Sequence, residues 1–208
     1  MATARLTRDE RKAQTRADLL AAAREVFVRR GFHRASLDEI AEEAGYTKGA
    51  VYSNFADKDA LFLALLDERY AGRVARYSEM MLEVDSLDES FRRVSWFMAE
   101  ADQEEPDWLP TLAEFVAHAS QHEELRRAYS RSRERFLEAI AGIIDALAER
   151  FDVTLRVSSL EAARWSSVLI RGYSAERRID PETVTPELFV ELQTAFMHGL
   201  TRPRGEER

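Results

Sequence analysis

The sequence of 208 residues contains no cysteine. That excludes a disulfide framework, a zinc–thiolate site and a cysteine nucleophile, and it fits a reducing compartment. Long apolar runs are also missing. No stretch approaches the ~18 residues that a membrane span requires. The start, MATARLTRDERK, is polar and charged, without the apolar core of a secretory signal. A cytoplasmic protein with no membrane partner is expected. Strand signals are scarce, because the β-branched residues are scattered and no turn dipeptide stands between alternating runs. A Gly-rich phosphate loop, a Gly-x-Ser-x-Gly elbow and a repeat of fixed period are absent as well. Nothing in the chain reads as catalytic machinery, so it is taken as a non-enzyme with no cofactor.

What is present begins with charge. The chain holds 30 Lys and Arg against 38 Asp and Glu, a balance that by itself argues against a nucleic-acid partner. Its distribution matters more. Residues 1–56 carry 10 basic against 8 acidic side chains, so the acidic excess lies wholly in residues 57–208. Such asymmetry suggests different partners for the two parts.

Helix signals are dense, and they predict an all-α fold of about nine helices. Thr7-Arg8-Asp9-Glu10 is a capping box that opens the first helix, with Leu19, Leu20, Ala23, Val26 and Phe27 on its apolar face and Gly31 as its stop. Ser36-Leu37-Asp38-Glu39 opens a short second helix, ended by Gly45. Thr47 caps a third that runs to about Asn54. Only Gly45 and Tyr46 separate the second helix from that cap, so the two must cross steeply, as in a helix-turn-helix. Asp57 starts a fourth helix, and Ser86 a fifth that Glu104, Glu105 and Pro106 terminate. A sixth (about 107–120) and a long seventh (about 123–151) follow. Ser158 opens the eighth, Thr185-Pro186 opens the ninth, and the tail from Thr201 is expected to fray. The expected division is a three-helix DNA-binding domain over 1–56 and a helical domain over 57–208.

The third helix carries the chemistry. Val51 and Phe55 anchor it, leaving Lys48, Gly49, Ala50, Tyr52 and Ser53 outward. Small residues let a backbone approach another surface closely. Lys48 adds charge where free amides already favour an anion. Tyr52 and Asn54 carry donors for phosphate oxygens, and Lys58 adds a cation beyond. This set suits the major groove of DNA, with Lys48 able to reach guanine and Ala50 a thymine methyl. The same residues would also suit a solvated helix of an ordinary bundle, or a helical module that binds protein.

The stretch AAAREVFVRRGFHRASLDEIAEEAGYTKGAVYSNFADKDALF resembles the TetR family of transcriptional regulators. The match lies at Gly31-Phe32, Ser36, Gly45, Thr47-Lys48-Gly49, Tyr52, Phe55 and Lys58, with Asn54 where the family often has His. The resemblance implies a homodimer that sets two recognition helices on a near-palindromic DNA operator, and most often a repressor that a small-molecule effector releases. The implied DNA-binding set is Ser36, Thr47, Lys48, Gly49, Ala50, Tyr52, Ser53, Asn54 and Lys58, with Arg5, Arg8 and Arg11 as further candidates. It also implies that helices eight and nine form the dimer interface, here Leu160, Arg164, Val168, Leu188, Leu192 and Phe196.

Ligand pockets are concave and mostly apolar, with a few placed polar groups. Trp96, Trp108, Phe115, His118, Tyr129, Trp165 and Arg171 are the candidate lining, and core packing is the alternative for each aromatic. Glu114, His118 and His122 follow at intervals of four along one helix face, a spacing at which two histidines can hold a transition metal. No third motif accompanies them. No metal is assigned, and they are read as hydrogen-bonding groups at a pocket edge or on the surface.

Overall fold

Caps written in the sequence set most of the element starts. The computed structural model describes residues 7–104 and 106–205, and for Leu82 and residues 102–104 the backbone alone. Arg5 and Glu105, both named above, lie outside the described residues. In chain order the elements are α1 (Arg8–Arg34), α2 (Leu37–Glu43), α3 (Lys48–Asn54), α4 (Lys58–Leu82), α5 (Leu87–Glu104), α6 (Trp108–Ser120), α7 (Glu123–Arg150), β1 (Val153–Leu155), α8 (Ser159–Ile179), α9 (Pro186–Leu200) and β2 (Thr201–Pro203). The described residues thus hold nine helices. Thr7 with Glu10, Ser36 with Glu39 and Ser158 with Glu161 all form reciprocal capping boxes, each satisfying two amides that a helix start leaves free.

The chain divides into two compact units, 1–69 with 110–130, and 70–109 with 131–208. The first therefore holds more than the 1–56 segment: the start of α4, most of α6 and the start of α7 belong to it. Its centre is aromatic. Phe27, Phe32, Phe62 and Phe115 are all fully buried. Phe62 stacks on Phe115 with ring centroids 4.4 Å apart and meets Phe27 edge-on at 5.0 Å. Burial of each such ring contributes roughly 1.5–3 kcal/mol, and each aromatic pair adds about 0.5–1.5 kcal/mol. Gly31 kinks α1 without ending it. It takes φ 76° and ψ 167°, after which the chain resumes one more helical turn to Arg34. The expected stop is thus a kink.

The second unit is organised around α9, which packs on α5 and α8. Phe189 and Tyr173 face each other with centroids 4.6 Å apart, among Tyr77, Met98 and Ile170. A second cluster gathers Phe91, Ala162, Met197 and Leu200. The tail does not simply fray. Thr201–Pro203 pairs antiparallel with Val153–Leu155, in the register Val153 to Pro203 and Leu155 to Thr201. Asp152, at φ 50°, makes the turn into β1 and accepts from the Arg204 amide at 3.1 Å. Strands of three residues, one containing proline, leave no periodic signal. A groove of about 660 Å³ lies in this unit, between α7 (Ala141, Asp145, Ala148, Glu149), β1, the start of α8 and Arg204.

Candidate nucleic-acid interface

α1 and α2 place α3. The turn before it is a Schellman end to α2: Gly45 takes φ 70°, its amide donates to Glu42 O at 3.0 Å, and the Tyr46 amide donates to Ala41 O at 2.9 Å. The Tyr46 hydroxyl then donates to Asp18 Oδ2 at 2.8 Å, tying this turn to α1. Val51 is fully buried and Phe55 nearly so. At the far end, Arg16 of α1 lies over the Phe55 ring, 4.4 Å from its centroid, and donates to the Asn54 carbonyl at 3.3 Å. The helix is held at both ends and by its inner face.

Its outer face is open. Lys48, Gly49, Tyr52 and Ser53 are exposed, Ala50 is half-buried, and Tyr52 is 57 % exposed. Thr47 caps the helix by accepting from the Ala50 amide at 3.3 Å. Ser36, at the start of α2, is half-buried and spends its hydroxyl on the capping box with Glu39. Lys48 is not alone on this face: its ammonium donates to Asp38 of α2, and that contact raises its pKa. Ser53 donates back to Ala50 O at 2.9 Å.

Two expected contact residues have other engagements. The Asn54 amide donates to Ala50 O at 2.8 Å and to Ser53 Oγ at 3.4 Å, so its donors stabilise the end of α3. Lys58 turns away from the open face. Its three N–H groups serve Phe32 O at 2.8 Å, His33 O at 3.1 Å and Ala35 O at 3.1 Å, the carbonyls that end α1. Desolvation in that position lowers its pKa. The reading of Lys58 as a cation reaching outward gives way to a clasp between α1 and α4. The clasp lay hidden in sequence because its acceptors are 23 to 26 positions away.

The profile described as bacterial regulatory proteins, tetR family, matches residues 19–65, and that of the BetI-type transcriptional repressor, C-terminal, matches residues 88–202. The chain belongs to the TetR family. Curated relatives match over parts of the chain. The transcriptional activator FasR of Mycolicibacterium smegmatis is 53 % identical over 62 residues, 30 % of this chain and 26 % of FasR. The regulator TtgR of Pseudomonas putida is 44 % identical over 85 residues, 40 % of each chain. The chain thus spans well under half of either relative's length. A solved structure of the FadR regulator of Bacillus subtilis, in complex with stearoyl-CoA, superposes with a TM-score of 0.66 at 18 % identity, covering 86 % of this chain and 98 % of that one.

In this TetR-family chain the seven residues assigned above to a ligand pocket are divided between the two units. Phe115 is fully buried and Tyr129 nearly so, both in the aromatic core of the first unit. His118 Nε2 lies 3.3 Å from Asp59 in that same unit. Glu114 is turned to α1, where it accepts from the His33 amide at 3.1 Å. In the second unit Trp108 is buried, and Trp96 and Arg171 are half-buried. Trp165 is exposed, its ring 6.2 Å from that of Phe196. None of the seven lines the groove beside β1.

The residues expected at a dimer interface lie on α8 and α9, which pack on each other. Val168 of α8 and Leu188 and Leu192 of α9 are exposed, as are Trp165 and Ile179 of α8. Leu160, Arg164 and Phe196 are half-buried, with Arg164 paired to Glu134. The exposure of Trp165 and Ile179 was not legible in the sequence, because helix spacing does not tell which of two apolar stripes meets the protein's own core. No helix among the described residues is long and apolar enough to cross a membrane.

Proposed function

We propose that this chain is a sequence-specific DNA-binding repressor that acts in the cytoplasm by binding rather than catalysis, and that a small-molecule effector releases it from its operator. DNA binding is assigned to residues 1–56, with α3 entering the major groove. Lys48, Gly49, Ala50, Tyr52 and Ser53 make the approach, and Ser36 and Thr47 lie at the helix starts beside the backbone. Asn54 and Lys58 support from behind. Arg8 and Arg11, exposed at the start of α1, are further phosphate ligands. The observation that carries this reading is the division of α3 itself, with Val51 and Phe55 buried and a small, cationic and phenolic face left open.

The dimer is assigned to α8 and α9, and dimeric helix-turn-helix proteins read half-sites ~34–36 Å apart. Repression rather than activation rests on the C-terminal likeness to BetI-type repressors. An effector is supported by the fold shared with FadR, whose structure holds stearoyl-CoA. Coupling between effector and operator is reciprocal and commonly ~1–3 kcal/mol.

Selection of bound duplexes from a random pool tests the reading. A palindromic consensus is expected, with binding weakened by Tyr52→Phe and by Lys48→Ala in proteins that remain folded. Wild-type affinity in both variants would remove α3 from the interface. An effector that binds without changing operator affinity would overturn the release mechanism.

A further inference from the structure

The ion pair between Lys48 and Asp38 involves a residue of the proposed DNA face. Asp38 lies in the first turn of α2 and Lys48 in the first turn of α3, and both side chains are more than half exposed. Tyr52 lies close enough to favour the charged form of Lys48. Whatever meets the Lys48 ammonium therefore also meets the Asp38 carboxylate it is bonded to. The neighbouring cations of α1 have acceptors of their own: Arg29 pairs with Glu43 at 2.7 Å and Arg30 with Glu39 at 3.1 Å.

An exposed ion pair is worth little in stability, so this one is cheap to exchange. Its consequence lies in DNA binding. Non-specific affinity comes almost wholly from cations that replace the counterions of phosphate. A lysine already neutralised by a carboxylate releases few counterions. A base edge rewards a cation held in one direction, whereas phosphates reward any cation within reach.

Resting on the DNA-binding reading above, we propose that Asp38 is a specificity-determining residue. It aims Lys48 and withholds it from indiscriminate phosphate contact. Removing its charge while keeping its shape trades specificity for affinity.

The test compares wild type, Asp38→Asn, Lys48→Ala and the double variant. Affinity is measured for a random-sequence duplex and for the duplex that wild type selects, across a series of salt concentrations. Asp38→Asn is expected to bind the random duplex roughly 5–10-fold more tightly. Its plot of log affinity against log salt should steepen by about 1 per subunit, the signature of one more phosphate contact. The preference for the selected duplex should fall. In the Lys48→Ala background the same substitution should do none of this. Unchanged slope and preference in Asp38→Asn, in a wild type that does select a duplex, would overturn the proposal alone. So would a gain that survives Lys48→Ala, because Asp38 would then act as bulk surface charge. A wild type that binds no duplex even in dilute salt would overturn this proposal and the DNA-binding reading together.

Discussion

Lys58 engages Phe32 twice: its ammonium donates to the Phe32 carbonyl at 2.8 Å and lies 4.6 Å from the centroid of the Phe32 ring. One side chain thereby closes the end of α1 and covers the aromatic centre of the first unit. The carbonyls of a helix end lack partners within the helix, and here a side chain from the start of α4 supplies them.

Lys58→Met keeps the apolar stem and removes all three donors. Hydrogen bonds from a charged group are worth about 1.5–3 kcal/mol each when buried, but this ammonium is only partly shielded. A net loss of about 1–3 kcal/mol in urea unfolding is expected. The salt dependence of DNA binding should keep its slope, since no phosphate contact is lost. Unaltered stability together with a shallower slope would return Lys58 to the list of phosphate ligands.

Gly31 tests the other side of that junction. A Cβ at this position would lie 2.8 Å from Glu114 Oε1 and 3.0 Å from Oε2, and the backbone conformation is one that only glycine adopts readily. Strain of that kind costs on the order of 1–3 kcal/mol. Gly31→Ala should destabilise by at least that much. Measured against Glu114→Ala alone, which already lacks the bond from the His33 amide, Gly31→Ala should cost only the backbone part. A double variant as stable as Glu114→Ala would show that the backbone conformation contributes nothing.

How far the sequence carried follows from which interactions are local. The three capping boxes join residues three apart, Gly45 ends α2 by its own backbone conformation, and the burial of Val51 follows from helix spacing. All were legible. Lys58 was misread because its acceptors are supplied by another helix. Phe115 was offered to a pocket, and Trp165 with it. An apolar ring carries no mark that distinguishes core, cavity and open face until its neighbours are fixed. The pairing of Leu155 with Thr201 joins two three-residue segments far apart in sequence, and so short a strand has no pattern of its own.

Acid sensitivity follows from the caps. Glu10 has its pKa lowered by the Thr7 backbone amide and then its hydroxyl, and Glu161 by the Ser158 hydroxyl and then its backbone amide. A carboxyl whose folded value is depressed stabilises the fold above the unfolded value, about 4.3. That stability is lost as pH falls through the folded value. The urea midpoint should therefore decline from about pH 4.5 downward. Glu161→Gln should lower the midpoint at neutral pH and lose less on acidification. A variant that tracks wild type at every pH would mean that the Glu161 charge adds nothing to the cap.

The open face of α8 and α9 offers the last prediction. Val168 is 63 % and Leu192 49 % exposed, and Trp165, Leu188 and Ile179 are exposed as well. Large apolar side chains left exposed on two helices that pack together suit an interaction site, and a two-fold dimer would bring such helices against their own copies. A Cβ built on Gly172 of α8 or Gly199 of α9 meets nothing within 4 Å in the chain itself. Helix propensity alone says that alanine at Gly172 stabilises the subunit by about 1 kcal/mol. If the helices of two copies approach closely there, the same methyl must weaken the dimer. Gly172→Ala should then raise the dimer dissociation constant in sedimentation equilibrium, and Val168→Glu should abolish dimers and operator binding together. A Val168→Glu protein that stays dimeric would move the interface to another face.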